Sequence, residues 1–314
     1  MGALMDHLNV ALIGDKSLGR EIAKKGTQSD FTIYHMKRST RIVSILEPTL
    51  YPEKLQPLLY CINMASFIVL AVDRIDRFFG EAVVALDLAR KRDGVVLLGE
   101  GVEETQVRSF LKGTALDGYE FMEKDNALLM EKLLTARTSR KEGKTKIPID
   151  HSFLVKSVGP VALGVVERGA VRRHQELELY PCRKLVIVRS LQVQDEDVEE
   201  AVCGSRVGIA VKGVAVEELG RGNVLAEPGS LRCANEFSAR ARASKISGVS
   251  PGFYSISLGM QYETVSVAAG ITAGGEGEAV IKCEREIVFE PGDNALLCKP
   301  EAKARVVAAL EVVG

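Results

Sequence analysis

The sequence predicts an α/β domain followed by two small all-β domains, and three observations carry that expectation. Residues 1–138 alternate short apolar runs with helical patterns, the mark of a doubly wound, mostly parallel sheet. Residues 139–146 interrupt that alternation with a basic, glycine-containing run. From residue 147 onward short β-branched runs recur between glycines, with no long amphipathic helix among them. At 314 residues the chain exceeds one ordinary core, so three folded units are expected.

In the first unit, strands are expected at 8–13, 32–36, 41–46, 67–72, 95–98 and 119–122. Several are apolar throughout, as strands covered on both faces should be. Two helices stand out between them. One spans 77–91 with Phe78, Val83, Ala85, Leu86 and Ala89 on its apolar side; the other spans 125–136, where Leu128, Leu129, Leu133 and Leu134 make a stripe. The stretch 137–146, RTSRKEGKTK, carries five basic residues and no large apolar one, so a solvated linker is expected over 139–146. The second unit, 147–229, has strands expected at 161–166, 185–193, 206–211 and 223–226, and ends at the Pro228-Gly229 break. The third, 230–314, has strands at 239–246 and 254–258 and a Pro291-Gly292 turn before Leu296 and Leu297. Each suits a small antiparallel barrel of roughly 80 residues.

Composition narrows the function classes. Hydrophobic residues make up 46% and charged residues 26%, which favours packed cores over disorder. A net charge of −1 argues against a global electrostatic grip on nucleic acid, so any RNA contact must be local. The longest apolar stretch, 61–72, falls short of the ~20 residues that span a bilayer, and no secretory signal opens the chain. No membrane association and a cytoplasmic location are therefore expected. Six scattered cysteines without a C-x-x-C pair and four distant histidines imply neither a metal site nor disulfides.

The first strand runs into Gly14-Asp15-Lys16-Ser17-Leu18-Gly19-Arg20-Glu21, a strand-to-helix turn of the kind that presents backbone N–H groups to phosphate. A working version reads G-x-x-x-x-G-K-[ST], with Lys on the β and γ phosphates and the hydroxyl on Mg²⁺. Gly14 and Gly19 remain here, but Arg20 stands at the Lys position and Glu21 at the hydroxyl position. A carboxylate at that place repels phosphate. The expectation is a relic phosphate turn of Gly14, Gly19 and Arg20 that starts a helix, with no catalytic residue.

These glycines and the order of elements resemble the translational GTPases, the family of elongation factor Tu and SelB. The resemblance implies a G domain and two barrels of elongation factor type, but the family's other nucleotide motifs are missing. Where D-x-x-G-H should follow the third strand, the chain has Glu47-Pro48-Thr49-Leu50-Tyr51. Where N-K-x-D should read guanine, it has Gly99-Glu100-Gly101-Val102. The segment between Gly19 and Arg41 is also short for the first switch region. A degenerate G domain follows, without a cofactor unless an unorthodox site takes GTP and Mg²⁺.

The second unit resembles the family more closely, through Ile147-Pro148-Ile149-Asp150-His151-Ser152-Phe153, the run from Val161 through Glu167-Arg168-Gly169, Gly204-Ser205-Arg206-Val207-Gly208, and Arg221-Gly222-Asn223-Val224-Leu225-Ala226. In this family the second domain holds the aminoacylated 3′ end of tRNA. The resemblance gives Gln192 to the terminal adenine and Arg206 to the aminoacyl pocket. In its SelB branch, which includes archaeal members named as candidate pyrrolysine elongation factors, an Asp-His pair joins that Arg; Asp150 and His151 stand at those positions. Arg and His can hold a carbonyl or an anionic group while Asp orients them, so a small polar or anionic aminoacyl group is expected. Alternatively, Asp150 and His151 cap a turn and Arg206 is a solvated hairpin charge. Arg240 and Arg242 alternate with alanines in the third unit and suit an RNA backbone, or a solvated strand face.

Three functions follow from the resemblance. The first is a translation protein that binds tRNA or aminoacyl-tRNA without GTP turnover, alongside the ribosome or another translation factor. The second is an elongation factor GTPase with an unorthodox nucleotide site. The third is a regulatory or scaffold paralogue that binds a protein partner in translation.

Overall fold

Strand β1 (Asp6–Ile13) is the centre of the first sheet, and its last six residues are buried because structure covers both faces. The computed structural model describes residues 5–38, 40–138 and 140–313. After helix α1 (Leu18–Ile22) come β2 (Lys24–Gln28), β3 (Thr32–Arg38) and β4 (Arg41–Glu47), then α2 (Gln56–Met64), β5 (Phe67–Val72) and α3 (Arg77–Leu88). The unit ends with β6 (Gly94–Leu98), α4 (Glu104–Leu111), β7 (Glu120–Glu123) and α5 (Asn126–Thr135). The sheet order is β2-β3-β4-β1-β5-β6-β7. From β4 to β7 the pairings are parallel; β3 runs antiparallel to β4, and β2 to β3. The result is the doubly wound sheet the sequence predicts.

Local chemistry explains where the elements stop. The apolar stretch 61–72 is two elements: α2 ends at Met64, Ala65 turns extended, and Ser66 donates its N–H to the Asn9 carbonyl as β5 begins. Helix α3 starts on Asp76, whose carboxylate accepts the N–H groups of Phe78 and Phe79. It stops at Leu88, short of the expected Lys91, because Arg90 takes a left-handed φ of 55° and Lys91 N–H bonds back to the Leu86 carbonyl.

The second unit comprises β8 (Lys146–Val155), β9 (Gly159–Val165), β10 (Ala170–Arg172), β11 (Glu176–Tyr180), β12 (Lys184–Val193), β13 (Glu196–Val198), β14 (Glu200–Val202), β15 (Arg206–Lys212) and β16 (Val224–Ala226), with β10 and β14 paired in a small sheet of their own. Seven of these strands follow the order β11-β16-β8-β9-β15-β12-β13, and the β11–β12 pairing closes the barrel. The third unit is a closed barrel, β17-β20-β19-β18-β21-β22. Its strands are β17 (Arg232–Ala243), β18 (Gly252–Leu258), β19 (Gln261–Val267), β20 (Glu276–Phe289), β21 (Asn294–Cys298) and β22 (Val306–Val312).

The basic run 139–146 is solvated only in part. Lys141 to Lys144 are exposed, but Thr145 and Lys146 are buried. Lys146 Nζ lies 3.0 Å from Asp293, 3.3 Å from Glu290 and 3.5 Å from Glu167. Burial works against its charge, yet the three carboxylates raise its pKa well above the usual lysine value. This ammonium thus ties the two barrels together. The third barrel also packs on the first sheet's helices, with Met260, Leu296, Val306 and Ala309 in one apolar cluster with Leu58, Leu59, Val83 and Leu86.

Among the described residues, no helix is long and apolar enough to cross a membrane, and no group of three or more His, Cys, Asp or Glu is placed to hold a metal ion.

Candidate functional site

Two regions bear on chemistry: the turn after β1, and a cavity between the first sheet and the first barrel.

The turn after β1 holds an anion of its own. Asp15 Oδ1 accepts the backbone N–H of Ser17 at 2.6 Å and of Leu18 at 3.1 Å, together with the Ser17 hydroxyl at 2.9 Å. Lys124 Nζ lies 2.7 Å from the other Asp15 oxygen and 2.9 Å from Asp73. Burial alone would raise the Asp15 pKa; the Lys124 ammonium and the donors of Ser17 and Leu18 outweigh it and hold the carboxyl at about 2. N–H groups that would face a phosphate therefore already serve a carboxylate. A cavity of about 440 Å³ opens beside the turn, and Asp15, Glu47, Asp73 and Asp76 line it with Lys16 and Arg74. Glu47 is buried, its pKa raised by burial and by the charge of Asp15, and its Oε2 has no hydrogen-bond partner among the described residues.

The two glycines of the turn are explained by packing. Gly14 has φ +102°, and a Cβ there would sit 2.0 Å from the Ala71 carbonyl oxygen. A Cβ on Gly19 would meet the Tyr34 ring at 2.7 Å and Glu47 Oε2 at 3.2 Å. Arg20 does not line the Gly14 cavity; it borders a separate groove with Lys24, Lys25 and Lys37. Glu21 accepts from Asn126 at the exposed surface. The segment between Gly19 and Arg41 contains β2, hydrogen-bonded to the sheet edge through Lys24 and Lys25.

In the first barrel, a bulge decides the geometry. Register between β8 and β9 shifts between Ile149 and His151, so Asp150 is the extra residue and its side chain is buried directly after that of Ile149. Arg206, the first residue of β15, alternates with the core residue Val207 and so meets it on the barrel face turned toward the first sheet. Its Nη2 donates to Asp150 Oδ1 at 2.8 Å and its Nη1 donates to Oδ2, a bidentate pair with 7% and 0% of the side chains exposed. His151 Nδ1 stands 2.8 Å from Asp150 Oδ1; since a carboxylate only accepts, this nitrogen carries the proton. Burial first, then Arg221, lower the pKa of His151, so the ring is neutral at pH 7.

Arg206 and Gln192 line one cavity of about 630 Å³. Gln192 pairs in register with Gly208, whose missing side chain leaves the space open, and its Nε2 donates to Asp197 at 2.8 Å. Across the cavity stand Gly26, Thr27 and His35 of the first unit. Asp150 and His151 do not line it; they sit behind Arg206. The solvated-hairpin alternative for Arg206 is overturned by its burial.

Sequence reasoning missed the arginine that joins this barrel to the first unit. Arg221 Nε donates to the Asp150 carbonyl at 3.0 Å and its Nη1 lies 2.8 Å from Asp30, while its guanidinium rests 5.4 Å from the ring centres of Phe31 and Tyr60. His35 and the Asp15–Lys124 pair were missed as well. For Asp15 a signal existed, since Asp with Ser two positions on is a turn and cap pattern.

The RNA-backbone expectation for the third unit divides. Arg242 is engaged with the first unit: Nη2 donates to the Asp87 carbonyl at 3.1 Å, and Nη1 lies 3.6 Å from the Asp87 carboxylate. Arg242 sits at the C-terminal end of α3, where a cation is favourable to the helix dipole. Arg240 is exposed, but its register partners on both sides, Glu278 and Glu311, are acidic. The pair therefore forms no basic ladder.

Residues 159–226 match the family model of elongation factor Tu domain 2. An uncharacterized protein of Methanocaldococcus jannaschii is 36% identical over 308 residues, which cover 96% of this chain and 98% of that one. The selenocysteine-specific elongation factor of the same organism is 28% identical over 191 residues, 54% of this chain and 41% of that factor. The solved structure of translation elongation factor SelB from Methanococcus maripaludis, in complex with a GTP analogue, superposes at a TM-score of 0.83 with 19% identity, covering 98% of this chain and 79% of that one. At that identity the likeness is one of fold.

Proposed function

The chain belongs to the translational GTPase superfamily, in the part of it that holds elongation factor Tu and SelB, and on that premise we propose that it binds the aminoacylated end of a tRNA without turning over GTP. One observation carries the reading: Gln192 and Arg206, the residues matched to the terminal adenine and the aminoacyl pocket, share one cavity. Its volume, about 630 Å³, lies within the roughly 300–1,000 Å³ of small-molecule sites. Arg206 is fixed in that wall by Asp150, and His151 in turn fixes Asp150. The cavity needs both units, because Gly26, Thr27 and His35 close it. The cytoplasm is the location in keeping with this role, and the ribosome or another translation factor a further partner.

The loss of GTP turnover is supported by the turn after β1. A γ-phosphate entering there would compete with Asp15 for the N–H groups of Ser17 and Leu18, and would meet the carboxylates of Glu47 and Asp73 in the same cavity. Neither the lysine nor the hydroxyl of a working phosphate turn is present.

The test compares one tRNA, charged and uncharged, with and without GTP and Mg²⁺. Charged tRNA should bind at least about tenfold more tightly, and its ester should be protected from hydrolysis, at the same affinity whether or not GTP is present. Equal binding of charged and uncharged tRNA would favour a scaffold that takes a protein partner. Submicromolar GTP binding with Mg²⁺ would restore the GTPase reading.

A further inference from the structure

The charges around the barrel cavity determine which aminoacyl group it can take. Arg206 is the one lysine or arginine among the described residues that line it, and its guanidinium is committed to Asp150 by two parallel bonds. Turning it toward a ligand anion would strand a fully buried carboxylate, a penalty larger than an exposed ion pair offsets. The pair therefore presents no net charge to the cavity.

The remaining ionisable groups point the same way. Asp195 and Asp197 line the same cavity, the latter held by Gln192. His35 faces it from the first unit and is uncharged at pH 7, because burial and the neighbouring Arg206 press its pKa to about 4. Much of the wall is apolar, with Phe153, Val155, Val158, Val161 and Leu163, and Phe153 is exposed at the surface.

We propose, resting on the aminoacyl-tRNA reading, that this cavity selects an uncharged aminoacyl group with an extended apolar stem and rejects an anionic one. Hydrogen bonds remain available at its polar end, from the N–H groups of Arg206 that Asp150 does not occupy and from the Gln192 carbonyl oxygen. This reverses the expectation from sequence of a small polar or anionic group. That expectation counted Arg206 as a free cation, whereas the fold has neutralised it.

The experiment charges one tRNA body with glutamine, glutamate, leucine or lysine and measures the affinity of the full chain for each. Glutamine and leucine esters should bind within about threefold of each other, and the glutamate ester about tenfold or more weaker, since glutamate and glutamine differ in charge and hardly in shape. Glutamate binding as tightly as glutamine, or lysine tighter than both neutral esters, overturns the proposal while leaving the aminoacyl-tRNA reading intact. No preference for any charged form over uncharged tRNA overturns that reading and the proposal with it. Because Asp150 variants endanger the fold, the exposed Asp197 is the residue to change. Asp197→Asn should narrow the glutamine-to-glutamate ratio to about threefold, and an unchanged ratio would overturn the acidic rim as its cause.

Discussion

Asp150 and Arg206 bind each other through two parallel N–H···O bonds at the face of the first barrel turned toward the first sheet, joining β8 to β15. Removing the arginine alone leaves a carboxylate with no exposed surface and one histidine partner. Arg206→Ala should therefore cost about 3–5 kcal/mol of stability. Asp150→Leu combined with Arg206→Met removes both charges and should restore most of that loss. The preference for charged tRNA should not return with it, because no guanidinium then lines the cavity. Urea denaturation and tRNA binding on the same preparations check both halves. A loss below about 1 kcal/mol for Arg206→Ala would contradict the buried pairing.

Asp15 makes a separate prediction at the turn after β1. As the charged acceptor of the Ser17 and Leu18 N–H groups it should contribute about 1–3 kcal/mol, lost in Asp15→Ala. Its carboxyl is held at about 2, below the ordinary 3.8, so the folded state disfavours its protonation. The contribution is then complete above about pH 4 and disappears as the pH falls through 2, where wild type and variant should converge. Denaturation between pH 2 and 7 gives that comparison. A GTP titration of the variant should stay negative, because Lys and Ser/Thr are still missing from positions 20 and 21.

How much could be read beforehand depended on whether a residue's neighbours lie near it in sequence. Strand 67–72 was legible to the residue because every side chain in FIVLAV is buried. Strand β2 was not, since KKGTQ is a polar edge strand with no apolar alternation, held by backbone pairing to β3. Helix α2 lay hidden because six of its nine residues are buried, which blurs any amphipathic period. At the cavity, the family resemblance pointed to Gln192 and Arg206. It could not show that a bulge turns Asp150 onto Arg206, 56 residues away, or that Arg242 is used on Asp87 of another unit.

His35 gives the acid limb of stability a specific source. Burial and Arg206 lower its pKa from 6.5 to about 4, so the unfolded chain binds its proton first. Its contribution is whole above pH 6.5 and declines as the pH drops toward 4. His7, lowered to about 4 chiefly by burial, adds to the same window. His35→Gln should flatten, without abolishing, the fall in stability between pH 6.5 and 4. An unchanged slope would mean that His35 is solvated in the folded protein.

Arg305, just before β22, grips the first unit where the third barrel meets α3. Its Nε donates to Glu81 Oε2 at 2.6 Å and its Nη1 to the Pro52 carbonyl at 2.9 Å, while Glu81 also accepts the Tyr51 hydroxyl at 2.9 Å. Glu81 bonding, ahead of an opposing burial effect, raises the pKa of Arg305. With 16% and 11% of the two side chains exposed, the pair is nearly but not fully buried. Arg305→Ala should then cost about 2–3 kcal/mol, somewhat below a fully buried pair. The loss should be local, because Lys146 still holds the two barrels together and Arg221 still holds the first barrel to Asp30. Hydrogen exchange should accelerate in β22 and α3 and stay unchanged in β9. On the proposed function it should also be the same with and without GTP. Uniform acceleration across all three sheets would instead make Arg305 a determinant of global stability.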